Sequence, residues 1–271
     1  MPTMRNVLEN LNKLALQRSR DYFELEVCGK RIITPYYINN IQHGFESLMK
    51  ESGIEDEFIS QTFQKYKNRQ IPFGWYRGKG TPDEIKESAV AISNMVGLPL
   101  YGATSYGISE FMKLYGLGID CSGFVYNVLK YAFTECSNEE LFSSSLDWRE
   151  EGKTGVNYAG VFVFAGKASE RMDPDKVQPL DLVFIKGIDK QYSHMGILLL
   201  EGSKLKLFQS SLVTDPVGVT ATDYSFSGGQ PVFGFAPTIG SRWDELYKKG
   251  KVEFRRLRCI CCTSGCNICS K

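Results

Sequence analysis

The sequence predicts an α+β fold: an antiparallel sheet packed on helices, preceded by a helix-and-hairpin extension. Three observations carry this expectation. Helical periodicity dominates the first half of the 271-residue chain, short β-branched and aromatic runs parted by tight turns dominate the second, and a cysteine opens an amphipathic helix where the pattern changes. With 42% hydrophobic and 13% aromatic residues the chain can bury a core, which excludes wholesale disorder. Lys+Arg 32 against Asp+Glu 31 leaves +1 and a pI near 7.5, so no whole-protein basic surface for nucleic acid is expected. No apolar run approaches the roughly 18 residues of a membrane-spanning helix. Glu9 stands where a signal peptide needs its apolar stretch, so the chain as written is expected in the cytoplasm.

Val7, Leu8, Leu11, Leu14 and Ala15 share one helical face and predict the first helix. Tyr22 to Val27 and Arg31 to Ile38, about Cys28-Gly29-Lys30, predict a hairpin. A second helix is expected over Glu57 to Lys67, with Ile59, Phe63 and Tyr66 inward. Residues 70–80 form a glycine-punctuated loop ending at a helix start, with Thr81 as N-cap, Pro82 at the first helical position and Glu84 completing a capping box. Ile85, Ala89, Ile92 and Val96 mark its buried face. Gly78-Lys79-Gly80-Thr81 has neither the glycine spacing nor the hydroxyl after lysine of a phosphate loop, and reads as a turn feeding a helix. Cys121 to Phe133 predicts the next helix, with Phe124, Val125, Val128, Leu129 and Ala132 on one face. After an irregular stretch, 138–178, strands are expected over Leu180–Lys186, His194–Glu201, Lys204–Leu212, Val232–Ala236 and Val252–Leu257, as a meander. The expected divisions are an extension over 1–95, a catalytic-sized domain over 96–257 and a cysteine-rich tail over 258–271.

Gly118-Ile119-Asp120-Cys121-Ser122-Gly123 delivers a cysteine to a helix start. Free backbone N–H groups and the helix dipole stabilise a thiolate there, and first-turn N–H groups can receive an oxyanion. Asp120 reads as the cap of that helix. The chain has two histidines. His43 reads as an ordinary turn or surface residue, and His194, opening an apolar strand, is the candidate base. Glu201-Gly202-Ser203-Lys204 is a two-residue hairpin turn. Pairing Glu201 with Lys204 puts His194 opposite Ser211, with Gln209 on the diagonal ~7–8 Å away at Cβ, within reach of a long side chain. Gln209 is the first candidate to orient the imidazole; Ser211 and Asp215 stay open as rivals.

Asp120-Cys121-Ser122-Gly123-Phe124-Val125, Pro179-Leu180-Asp181-Leu182-Val183-Phe184 and His194-Met195-Gly196-Ile197 resemble the three signature blocks of the NlpC-type cysteine peptidases, over roughly residues 96–236. Leu180 replaces that family's usual glycine. The resemblance implies a papain-like fold and a bacterial cell-wall endopeptidase. Its implied substrate is a peptidoglycan stem peptide or muropeptide, cut at a γ-D-glutamyl bond to a diamino acid. It implies a catalytic trio of Cys121, His194 and Gln209, with Tyr101 (in Gly97-Leu98-Pro99-Leu100-Tyr101-Gly102) and Ser122 toward the oxyanion and substrate side. It also implies a place at the cell envelope or outside the cell. Rival readings are an acyltransferase or amidase on another acyl substrate, and a binding module that keeps the fold without catalysis. No cofactor is needed by Cys–His chemistry. Cys259, Cys262, Cys266 and Cys269 form two Cys-x-x-Cys pairs with three residues between them, too cramped for the usual tetrahedral zinc site, so no metal is expected.

Overall fold

The structure is a computed structural model that describes residues 4–37, 78–148, 152–187, 191–214 and 217–263, with backbone alone for 4–5, 237–242 and 261–263. The expected helix Glu57–Lys67, and with it His43, Asp215, Cys266 and Cys269, lie outside the described residues.

In chain order the elements are α1 (Met4–Phe23), β1 (Leu25–Val27), β2 (Lys30–Ile32), α2 (Pro82–Met95), α3 (Ser105–Leu114), α4 (Cys121–Glu135), α5 (Glu139–Ser145), β3 (Ser169–Met172), β4 (Leu182–Lys186), β5 (Tyr192–Glu201), β6 (Lys204–Ser211), β7 (Gly218–Ser227), β8 (Gln230–Phe233), α6 (Pro237–Lys248), β9 (Val252–Leu257) and α7 (Arg258–Thr263). They fall into two compact units. One holds Met1–Arg20, Cys121–Gln209 and Thr220–Lys271; the other holds Asp21–Asp120 and Ser210–Val219.

In the second unit the β1–β2 hairpin turns on Cys28 (φ 49°) and Gly29 (φ 74°). Both residues are left-handed, as a two-residue turn of the primed type requires. Tyr22, expected in the first strand, instead closes α1 and is fully buried. Thr81 caps α2, accepting from Glu84 N while the Glu84 carboxylate accepts from Thr81 N, so the capping box forms as predicted. Ile85, Ala89 and Ile92 are fully buried, whereas Val96 is the C-cap and is half-exposed. The unpredicted α3 starts at Thr104, which caps it by accepting from Gly107 N, and buries Ile108, Phe111 and Met112.

The first unit is built on a sheet of order β3-β9-β4-β5-β6-β7-β8. Strands β4 to β8 follow one another as a meander that includes β7, where no strand is expected from the sequence, but β9 returns to the far side of β4, and β3 pairs beyond it. The stretch 138–178 is therefore not wholly irregular: it holds α5 and β3. One side of the sheet gathers Val183, Leu198, Leu207, Tyr224, Phe233, Val252 and Phe254 with Trp243 of α6. α4 packs along β5 and α5. α1 joins this unit through Asn12, whose amide both donates to Leu200 O and accepts from Leu200 N at 2.9 Å, as a neighbouring strand would.

Leu180 sits at φ 75° and is fully buried. Its N–H donates to Leu198 O at 2.6 Å, and Leu198 N donates to Asp181 O at 2.8 Å, so this left-handed residue leads the chain into the β4–β5 ladder. Such a φ is what makes glycine usual here. A left-handed non-glycine residue costs about 1–2 kcal/mol, while removing a buried leucine side chain costs about 3–5 kcal/mol. Packing wins: Leu180→Gly is expected to destabilise the protein by about 2 kcal/mol despite the relieved backbone, read from urea unfolding midpoints.

Asp181 is expected to fix the strand start by hydrogen bonding, and it does. Its carboxylate accepts from Gln178 N at 2.8 Å and takes a two-point ion pair from Arg256, at 2.7 and 2.8 Å. Burial pushes the carboxyl up, against Arg256 and the Gln178 N–H, which pull it down. On β9, Glu253 receives Lys186 at 2.7 Å, Tyr192 Oη at 2.6 Å, Arg171 at 3.1 Å and the Arg255 guanidinium. Burial alone would raise its carboxyl; the hydrogen bonds from Lys186, Tyr192 and Arg255 outweigh that and hold it down at about 2.

Candidate active site

Cys121 is the first residue of α4 and is 5% exposed. From Cys121 to Leu129 every residue of this helix is buried, so the helix is held on all sides and its start is fixed in place. A thiol at such a terminus faces the positive end of the helix dipole, which favours the anion.

The base is expected on the β5–β6 hairpin. Gly202 takes φ 62° at the turn, and the pairs run Glu201↔Lys204, Leu200↔Leu205, Leu199↔Lys206, Leu198↔Leu207 and Ile197↔Phe208, the register predicted from the turn. His194 and Gln209 then meet as diagonal partners: Nε2 of the imidazole lies 2.6 Å from Gln209 Oε1. Gly196 lets the two strands close here. A Cβ on it would stand 2.7 Å from Leu207 Cδ1, 2.9 Å from Phe208 O and 3.2 Å from Gln209 Cβ, so any larger residue pushes Gln209 away. Gln209 is 1% exposed, and its Nε2 is buried with no hydrogen-bond partner among the described residues. With Gln209 accepting, His194 carries its proton on Nε2 and leaves Nδ1 as the nitrogen able to take another. α4, which Cys121 opens, packs along β5, the strand that carries His194.

Sequence reasoning missed Trp243. It stands edge-on to His194, with ring centroids 6.5 Å apart, and is 3% exposed. It lies in α6, an unpredicted helix whose N-terminal turn carries proline, threonine and glycine. Ser211, a rival to Gln209, instead accepts from Val213 N at 3.2 Å through its Oγ; the other rival, Asp215, lies outside the described residues. Ser122 is buried in the first turn of α4. Tyr101 belongs to the other compact unit, in the turn before α3, and is 74% exposed. Asp120, expected as a cap, pairs its carboxylate with Lys79 Nζ at 2.7 Å.

Among the cysteines, Cys136 accepts from Asn10 Nδ2 at 3.3 Å, and burial pushes its thiol up. Cys259 is 1% exposed. Among the described residues no group of three or more His, Cys, Asp or Glu side chains could hold a metal, and no helix is long and apolar enough to cross a membrane.

The comparisons with known proteins fall on the segment that carries this geometry. Residues 101–228 match the model of the NlpC/P60 family. The matched segment contains Cys121, Asp181, His194 and Gln209 and lies inside the 96–236 expected from the signature blocks. That family is papain-like, and the match supports a cysteine peptidase or amidase of the cell-wall hydrolase type. No curated protein and no solved structure matches the chain.

Proposed function

We propose that the segment matching the NlpC/P60 family cleaves an amide bond in a peptide by Cys–His catalysis, with Cys121 as nucleophile, His194 as base and Gln209 as the residue that orients the imidazole. The observation that carries this reading is the 2.6 Å bond between His194 Nε2 and Gln209 Oε1. It fixes the ring's tautomer and directs Nδ1 to the remaining proton transfers. His194 Nδ1 takes the Cys121 thiol proton as sulfur attacks the carbonyl carbon, and returns it to the leaving amine, giving a thioester and a free amine. Water then attacks the thioester, with its proton passing to the same nitrogen, and releases the acid and the thiol. First-turn N–H groups of α4, with Ser122, hold the oxyanion.

By the family's chemistry the substrate is a γ-D-glutamyl bond to a diamino acid in a peptidoglycan stem peptide or muropeptide. Purified muropeptides incubated with wild type and with Cys121→Ala, and read by mass spectrometry, test this. Loss of the diamino acid fragment from wild-type digests alone supports it. Intact muropeptides with both proteins reject the substrate. Transfer of the acyl group to an added amine in preference to water rejects the hydrolase in favour of an acyltransferase. Gln209→Ala is expected to lower kcat by about 10²-fold with KM little changed, because the ring loses its orientation while substrate contacts remain. Steady-state kinetics on the same muropeptide separate the two.

A further inference from the structure

The two residues before Cys121 lie in a cradle built by Pro35–Tyr37 and Gly78–Lys79, upstream of the family match, and by Ser210 within it. Ile119 is fully buried and bridges Tyr36 in parallel and Lys79 in antiparallel fashion. Its N–H donates to Pro35 O at 3.0 Å, its carbonyl accepts from Tyr37 N at 3.2 Å and Ser210 Oγ at 2.7 Å, and Asp120 N donates to Gly78 O at 2.9 Å. Gly118 permits this close passage: a Cβ there would meet Pro35 O at 2.4 Å. The chain ahead of the cysteine is thereby held as one strand in a short ladder.

Within this cradle Lys79 Nζ lies 2.7 Å from Asp120 Oδ1, with the two side chains 8% and 21% exposed. Burying an ammonium costs several kcal/mol unless it is paired, so the lysine is placed here at a cost that a solvated residue would not bear. Asp120 is covalently joined to Cys121, with Cα atoms about 3.8 Å apart. A lone carboxylate on the adjacent residue opposes a thiolate, whereas a carboxylate paired with an ammonium is close to neutral.

We infer that Lys79 is a positioning residue for Cys121: it clamps Asp120 where α4 begins and cancels a negative charge that would otherwise stand beside the reactive sulfur. The inference rests on the reading of Cys121 as nucleophile. It also assigns a task to Gly78-Lys79-Gly80-Thr81, which carries a loop and a lysine without the pattern of a phosphate site. Among the described residues, the flanking segments of this cradle also carry the phenols of Tyr22, Tyr36 and Tyr37 and the Glu84 carboxylate bonded to Thr81 N. All of them stay the same across the variants below.

The test is the rate of Cys121 alkylation by iodoacetamide against pH, read on the Cys121 peptide by mass spectrometry so that the other cysteines do not contribute. Wild type is expected to react with a midpoint well below pH 8. Lys79→Met is expected to move the midpoint up by about one pH unit, and Lys79→Arg to keep it near wild type. Asp120→Asn moves it down, and Lys79→Met/Asp120→Asn returns it toward wild type. Opposite signs from the two halves of one ion pair are something a purely structural contact does not give. A Lys79→Met profile superimposable on wild type overturns the inference, as does a double variant displaced as far as the single one. If circular dichroism shows Lys79→Met unfolded, Asp120→Asn decides the matter alone: no downward movement overturns it. A wild-type Cys121 that reacts no faster than a free thiol removes the enzymatic reading itself, and this inference with it.

Discussion

Cys121→Ala is expected to remove muropeptide cleavage altogether, and His194→Ala to lower kcat by about 10⁴-fold or more, the scale on which members of a nucleophile–base pair act. The two losses should not add. Without the thiol the base has nothing to deprotonate, and without the base the thiol has no group to take its proton as it attacks. A Cys121→Ala/His194→Ala variant should therefore be no worse than Cys121→Ala. KM should change little in each, because neither side chain is asked to hold the ground-state substrate. Progress curves with purified muropeptides, together with the single-site alkylation profile, measure both effects. Additive losses would mean the residues act apart, and full activity in Cys121→Ala would place the chemistry elsewhere.

The candidate site was legible because its parts follow from short-range rules. A cysteine after a glycine-containing turn and before an apolar helix face reads as a helix start, and Cys121 opens α4. A two-residue turn fixes a register, and the register of β5 and β6 brings Gln209 to His194. The capping box at Thr81 is equally local. Other elements depend on partners distant in sequence. β3 has four residues and exists because β9 pairs with it, so Ser169 to Met172 carry little strand signal of their own. β7 alternates threonine and tyrosine with polar residues, and its inward positions include Thr220 and Thr222, which a hydrophobicity pattern passes over. α3 and α6 hold glycine in their first turns, and this masked Ile108, Phe111 and Met112 in one and Trp243 in the other. The pairing of Lys79 with Asp120 spans 41 residues and had no sequence signature.

Replacing Glu253 gives the largest expected loss of stability. Its carboxylate is shared by Lys186, Arg171 and Arg255, and its side chain is 9% exposed. Removing its charge leaves the buried Arg255 guanidinium, with Lys186 beside it, without this counter-charge; Arg171 is solvated. Arg255 is itself 7% exposed and anchored through Ser169 Oγ and the carbonyls of Gly166 and Ser169, so it cannot swing out to water. Breaking a buried pair by deleting one partner costs about 3–5 kcal/mol, and Glu253→Gln is expected to fall in that range at neutral pH. The pH dependence has a definite sign. The carboxyl titrates at about 2 in the fold against 4.5 when unperturbed. The unfolded chain therefore binds the proton first, and stability falls as pH drops through that interval. The loss is on the order of 3 kcal/mol. The stabilisation is fully present above pH about 4.5 and gone near pH 2, so the gap in urea midpoint between wild type and Glu253→Gln should be widest at neutral pH and close across that window. A gap that stays constant with pH would mean that packing around the side chain, and not its charge, holds β9 against β4.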